Sequence, residues 1–143
     1  MVHALNNINL KIDDRETVAI IGESGAGKST LLHIMSCIDN FDGEYYLDNI
    51  DINKLSESKK SKLRSSKIGI VLQDFALIDD FTVFENVMTP LYFNKKIKDK
   101  KGSVMRALKK TGIASLKSKK VSQLSGGQKQ RVAISRALVT SPE

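Results

Sequence analysis

Gly22-Glu23-Ser24-Gly25-Ala26-Gly27-Lys28-Ser29, followed by Thr30, has the pattern G-x-x-x-x-G-K-[ST]. Glycines at this spacing let a loop fold tightly, so that successive backbone N–H groups face phosphate oxygens. Lys28 is placed to bridge β- and γ-phosphates, and Ser29 to offer its hydroxyl to Mg²⁺. Average composition produces the pattern in on the order of one chain in two hundred of this length. That makes a plain glycine-rich turn with a solvated lysine the weaker reading. A second group, Leu124-Ser125-Gly126-Gly127-Gln128, is rarer, on the order of one chain in five thousand. Ser125 suits a helix N-cap, and the two glycines leave amides open at the helix start, where an anion can sit. The residues alone also fit an ordinary serine-capped helix.

These groups need elements to hold them. Thr17 to Ile21 is a short apolar run rich in β-branched residues and predicts a strand covered on both faces, as in a parallel sheet. From Lys28 the period turns helical, with Leu31, Leu32, Met35 and Ile38 on one stripe. Ile8, Leu10 and Ile12 alternate with Asn9 and Lys11 and predict a half-buried strand. Tyr45 to Leu47 and Ile50 to Ile52 flank Asp48-Asn49, a hairpin turn. Ser56 to Ser66 predicts a surface helix, and Ile68 to Leu72 a second buried strand. Thr82 and Glu85 fit a capping box for a helix that is interrupted or ends near Pro90. Val104, Leu108 and Thr111 share a helical face, with Gly112 just past its end. The last helix runs from about Gly126 to Val139, with Ile134, Ala137 and Leu138 on its apolar side.

The chain has 143 residues, 41% hydrophobic and 27% charged, which excludes collagen-like, disordered and disulfide-scaffold classes. Its one cysteine, Cys37, rules out an internal disulfide and suits a reducing compartment. No apolar run reaches the roughly 18 residues of a spanning helix, and no secretory leader is visible, so a soluble protein is expected. The charge of +7 comes from lysine-rich stretches: Lys59 to Lys67, Lys95 to Lys101, and Lys109 to Lys120. Few aromatics accompany them, so a solvated face is a better reading than nucleic-acid binding.

Taken together, Gly22 to Thr30 and Leu124 to Gln128, in this order, resemble the Walker A and signature segments of the ABC transporter nucleotide-binding domain. The signature resemblance continues through Lys129 to Leu138, and Gln73 matches the Q-loop glutamine. Leu72 to Phe75, Thr82 to Val87 and Pro90-Leu91 look most like the lipoprotein-releasing, macrolide-exporter and bacteriocin-exporter group. The resemblance implies an α/β P-loop fold of ABC type, with an incomplete core sheet. It implies a single partial domain over 1–143, with a helical subdomain at about 82–125. It further implies ATP and Mg²⁺ as ligands. Lys28 and Gln73 would serve catalysis, Ser29 and Gln73 would position Mg²⁺, and Gly22, Glu23, Ser24, Gly25, Ala26, Gly27, Lys28, Ser29 and Thr30 would hold nucleotide. Leu124, Ser125, Gly126, Gly127 and Gln128 would touch the ATP of a second subunit in a head-to-tail dimer. Membrane subunits docked near Gln73 would be the other partners, with the chain on the cytoplasmic side of the membrane and no nucleic acid involved.

The resemblance also implies residues that do not occur before Glu143: the Walker B aspartate, the adjacent glutamate, the D-loop and the switch histidine. The aromatic that stacks on adenine would precede the Val2 to Leu5 stretch. His3 and His33 stand at the wrong positions for the switch, and Asp13, Asp14, Asp79 and Asp80 sit in turn-like contexts. The strands expected between the Thr17 to Ile21 and Ile68 to Leu72 strands are missing too, which would leave apolar edges open. The reading is therefore an N-terminal portion of an ABC ATPase that binds nucleotide and hydrolyses it poorly or not at all. The alternative is a non-catalytic basic module that binds a partner subunit or a polyanion.

Overall fold

The structure is a computed structural model that describes residues 5–94 and 96–142. His3, the Val2 to Ala4 stretch, Lys95 and Glu143 lie outside the described residues. The chain divides into two compact units, Met1–Asn53 and Lys54–Glu143.

In the first unit, helix α1 (Lys28–Met35) follows the glycine-rich loop, and a hairpin pairs β1 (Tyr46–Leu47) with β2 (Ile50–Asp51). Asp48 and Asn49 both take positive φ, +49° and +62°, the I′ geometry that matches strand twist. Tyr46 lies opposite Asp51 and Leu47 opposite Ile50. Helix α1 stops after eight residues because Cys37 turns to φ +56°. Its N–H then donates to Ile34 (2.8 Å) and that of Ile38 to His33 (2.9 Å), the paired reverse bonds of a Schellman end. Ile38, expected on the helical stripe, therefore lies beyond the helix and is 47% exposed. The Tyr45 hydroxyl donates to the Met35 carbonyl at 2.8 Å, tying the hairpin to the end of α1. Burial first, then the neighbouring Cys37 and Asp48, push the phenol up to about 12.

The second unit is helical: α2 (Glu57–Lys67), α3 (Val83–Phe93), α4 (Lys100–Lys110) and α5 (Gly126–Leu138). α3 packs on α2, α4 and α5, and α4 packs on α5. The core draws Val83, Val87 and Leu91 from α3, Val104 and Leu108 from α4, and Val132 from α5. Ile113, Val121, Leu124 and Val139 close it. Thr82 caps α3 as a full capping box: its hydroxyl accepts from the Glu85 N–H at 3.1 Å, and the Glu85 carboxylate accepts from the Thr82 N–H at 2.7 Å. These bonds from Thr82 hold the Glu85 carboxyl below its ordinary range, with Lys120 helping. At the end of α4, Gly112 (φ +72°) closes a second Schellman motif, with Ile113 N–H donating to Leu108 at 3.0 Å.

Two expectations need correction, and a third becomes more specific. α3 ends near Pro90, at Phe93, but the proline does not interrupt it. Proline removes the N–H that would meet the Asn86 carbonyl, and the Thr89 hydroxyl donates there instead at 2.8 Å. The buried face of α5 is Val132, Ala133 and Ser135, joined by Val139, while Leu138 is 41% exposed and Ile134 and Ala137 are half-buried. A serine holds a core position because its hydroxyl donates to the Arg131 carbonyl (2.9 Å) and meets Thr111 Oγ1 at 2.7 Å. Finally, no ladder forms at Ile8 to Ile12, Thr17 to Ile21 or Ile68 to Leu72; among the described residues the hairpin is the only sheet. Ile21 is 90% exposed, and Ile8, Leu10, Ile12, Val18 and Ile20 are each at least 40% exposed. Apolar alternation reports which face a strand would bury, but a strand also needs a paired neighbour, and none lies beside these segments among the described residues.

Leu91 is fully buried in the helical core, so Leu91→Ala is expected to cost about 2–5 kcal/mol in denaturant unfolding. The Tyr45 pKa is raised on folding, so its contribution is complete below the unfolded value of roughly 10 and is lost as pH rises through the folded one. In an alkaline titration followed by tyrosinate absorbance, one of the three tyrosines should ionise near 12, and Tyr45→Phe should remove that step.

Candidate functional site

The glycine-rich loop turns on two left-handed residues, Gly25 at φ +83° and Gly27 at φ +86°. Only glycine takes this conformation without strain, and Gly27 is also the N-cap of α1. One turn bond, Ala26 N–H to the Glu23 carbonyl at 3.3 Å, closes the loop. The first helical bond is Leu31 N–H to Gly27 at 2.9 Å. Among the described residues no protein acceptor takes the backbone N–H of Gly25, Gly27, Lys28, Ser29 or Thr30. Lys28 folds back across the loop and donates to the carbonyls of Gly22 (2.8 Å) and Glu23 (2.5 Å). The loop carries exposed amides at a helix N-terminus and one ammonium, an arrangement that favours a multiply charged anion. Glu23, Ser24 and Ser29 are exposed, Ser29 in the first turn of α1 with its hydroxyl open to a ligand.

Gly126 and Gly127 open α5 in the second unit. Ser125 makes the same box with Gln128 that Thr82 makes with Glu85: Gln128 N–H to Ser125 Oγ at 3.4 Å, and Ser125 N–H to Gln128 Oε1 at 3.0 Å. Leu124 is buried in the core and anchors the motif, while both glycines face open space. A cleft of about 410 Å³ lies beside this helix start, lined by Ser115, Leu116, Ser125, Gly127, Gln128 and Arg131 among others.

Gln73 is exposed in a turn that Phe75 N–H closes on the Leu72 carbonyl at 3.0 Å. The next residues are held by side chains. The Arg136 guanidinium donates to the carbonyls of Phe75 and Ala76, each at 2.6 Å. The buried Asn86 carboxamide pairs with both backbone groups of Ile78, at 2.9 and 3.0 Å. Lys129 Nζ lies 3.3 Å from the Asp79 carboxylate. Burial lowers the Arg136 pKa, and Asp74 opposes that. Arg136 and Asn86 fall inside the resembling stretches Lys129 to Leu138 and Thr82 to Val87, but nothing in their spacing shows what they hold.

The candidate residues are thus divided: Gly22 to Thr30 belong to the first unit, and Gln73 and Leu124 to Gln128 to the second. His33 Nδ1 lies 3.4 Å from an Asp39 carboxylate oxygen, which makes an ion pair when the ring is protonated. Asp13 pairs with Lys11 at 2.7 Å, Asp14 with Arg15 at 3.5 Å, and Asp80 with Lys120 at 4.0 Å. Among the described residues no three His, Cys, Asp or Glu side chains cluster to hold a metal ion.

A profile of the ABC transporter family matches residues 5–143. The chain is 45% identical to the uncharacterized ABC transporter ATP-binding protein MJ0796 of Methanocaldococcus jannaschii, over 99% of this chain and 63% of that protein. It is 43% identical to the lipoprotein-releasing system ATP-binding protein LolD of Wigglesworthia glossinidia brevipalpis, over 97% of this chain and 62% of that one. The chain therefore spans a little over three-fifths of the length of these relatives. The solved structure of dimeric MJ0796, a bacterial ABC transporter cassette, superposes with a TM-score of 0.90 at 43% identity, covering 97% of this chain and 62% of that one. CbiO1 from Clostridium perfringens, part of the ABC transporter complex cbiONQ, does so at 0.81 and 40% identity, over 98% and 56%. The loop, the capped glycine pair and these likenesses together show an α/β P-loop fold of ABC type: the chain belongs to the ABC transporter family.

Proposed function

We propose that the chain is the ATP-binding part of an ABC transporter subunit. The carrying observation is the loop of Gly22 to Thr30, whose amides at Gly25, Gly27, Lys28, Ser29 and Thr30 have no protein acceptor among the described residues. Those amides and the α1 N-terminus take the phosphates. An ammonium has three N–H donors. Lys28 uses two on the loop carbonyls, which leaves the third for a phosphate oxygen. The donor set fits a nucleoside triphosphate, and the Ser29 hydroxyl suits the Mg²⁺ that accompanies it. Ser29 and Gln73 would hold Mg²⁺, which would supply positive charge to the phosphates when bound, and Gln73 would also orient a water.

The relative MJ0796 has a solved dimeric structure of a post-hydrolysis state bound to ADP and Pi, which supports nucleotide as the ligand. In the proposed assembly two copies pair head to tail, and the Ser125 to Gln128 helix start of each meets the γ-phosphate held by the other's Lys28. Neither amide-rich helix start encloses a triphosphate by itself, which is why pairing gives both a use. Membrane subunits, which would hold this chain on the cytoplasmic face of the membrane, complete the transporter. Turnover by this chain alone is proposed to be weak: Asp13, Asp14, Asp79 and Asp80 each have a cationic neighbour, which makes none of them a ready base for water.

Calorimetric titration of the chain with MgATP tests the binding. Lys28→Ala is expected to weaken affinity by at least about tenfold, as for loss of one charge-assisted bond. Equal heats from both proteins would overturn the reading. Binding that instead ignores Mg²⁺ and collapses steeply with salt would favour the polyanion-binding module.

A further inference from the structure

We propose that Arg136 is a positioning residue for Gln73: from the C-terminal half of α5 it grips the turn that carries Gln73 by the carbonyls of Phe75 and Ala76. The inference rests on the proposed role of Gln73 and adds the group that fixes its place.

Phe75 and Ala76 have φ of +62° and +43°, and neither is glycine. Each such residue is strained and persists only where its surroundings over-determine it. Consecutive left-handed residues point their carbonyls the same way, as in a helical turn. A planar guanidinium has two parallel donors to match, and the two arms of Arg136 reach one carbonyl each at 2.6 Å. A lysine ammonium offers no such fork. The cation is half-buried, so these charge-assisted bonds are shielded from water.

The same helix holds the segment at two further points. Lys129 lies seven residues before Arg136, two turns back on one face, and meets the Asp79 carboxylate at 3.3 Å. Upstream of Gln73, a Cβ on Gly69 would sit 2.8 Å from the Ala137 carbonyl oxygen and 3.0 Å from Pro142 Cγ, so the backbone there abuts the end of α5 too closely for any side chain. Gln73 is thus bracketed by contacts to one helix, at Gly69 and at Phe75-Ala76. Ser125 caps the other end of that rod, eleven residues or about 16 Å away. A displacement of α5 at Ser125 therefore reaches the Gln73 turn through Arg136.

Amide hydrogen exchange of the chain, read by mass spectrometry without nucleotide, tests the grip directly. Arg136→Ala is expected to speed exchange within residues 74–78, at the bonded amides of Phe75 and Ile78, by at least about tenfold while the α3 core amides at 87–89 and 91 stay unchanged. Added ethylguanidinium should restore slow exchange there, and methylammonium should not. Arg136→Lys, which keeps the charge and guards against loss of the fold, should show a smaller rise confined to the same residues. Rates at 74–78 within about twofold of wild type in both variants, or a rise shared equally by α3, would overturn the proposal. Calorimetry separates the reading of Gln73 from the grip. Gln73→Ala should reduce the Mg²⁺ dependence of ATP affinity, Arg136→Lys should reduce it in the same direction, and the double variant should lose no more than Gln73→Ala alone. A Gln73→Ala protein with unchanged Mg²⁺ dependence would remove the role of Gln73 whatever the exchange shows. Additive losses in the double variant would show that Arg136 does not act through Gln73 and would overturn the proposal.

Discussion

A backbone that has no ladder partner must still satisfy its N–H and C=O groups where it is covered, and the stretch from Phe75 to Phe81 does so through its neighbours. Asn86 imitates a peptide group and pairs with Ile78. Arg136 takes two carbonyls, and the carbonyls of Asp79 and Phe81 accept from the N–H groups of Ser122 and Val121. The shape of this stretch is consequently set by α3, α5 and the turn before α5, and only weakly by its own residues. The cost of a mistake is concentrated too. A fully buried carboxamide such as Asn86 stabilises the structure only while its partners stay in place, and a missing one leaves unpaired polar atoms in an apolar core. Among the described residues no buried side-chain polar atom lacks a partner.

The glycine-rich loop follows the opposite logic. Its amides lie on exposed or half-buried residues and need no internal acceptor, since water serves until an anion arrives. The turn after Gln73 is fixed by bonds that side chains and neighbouring backbone supply, while the glycine loop keeps its amides open.

What the sequence could convey depended on distance along the chain. The capping box at Thr82, the N-cap at Ser125, the Asp48-Asn49 hairpin and the Gly112 helix end are settled within a few residues, and each stands in the structure as its local pattern implies. The strands were misjudged because pairing is non-local, and alternation at Ile8 to Ile12 carries no information about a partner. The helix passes through Pro90 uninterrupted because the Thr89 hydroxyl takes up the carbonyl that proline leaves open, a repair that proline alone does not announce. The α5 face was misjudged because hydropathy cannot know that Ser135 finds an acceptor inside the core. For the site, the glycine loop and the capped glycine pair were evident from spacing alone, whereas Gln73 emerged only through family resemblance. The grip of Arg136 is not legible from spacing, since the carbonyls that it holds lie 60 and 61 residues away.

Lys28 has a thermodynamic consequence. A free lysine carries roughly 1.5–2 kcal/mol of side-chain rotational freedom that an anion must freeze on arrival. Here the ammonium is already tethered to Gly22 and Glu23 before any ligand comes. That entropy is surrendered during folding, so the loop greets its guest with a stiff arm, and recognition begins from a lower starting toll.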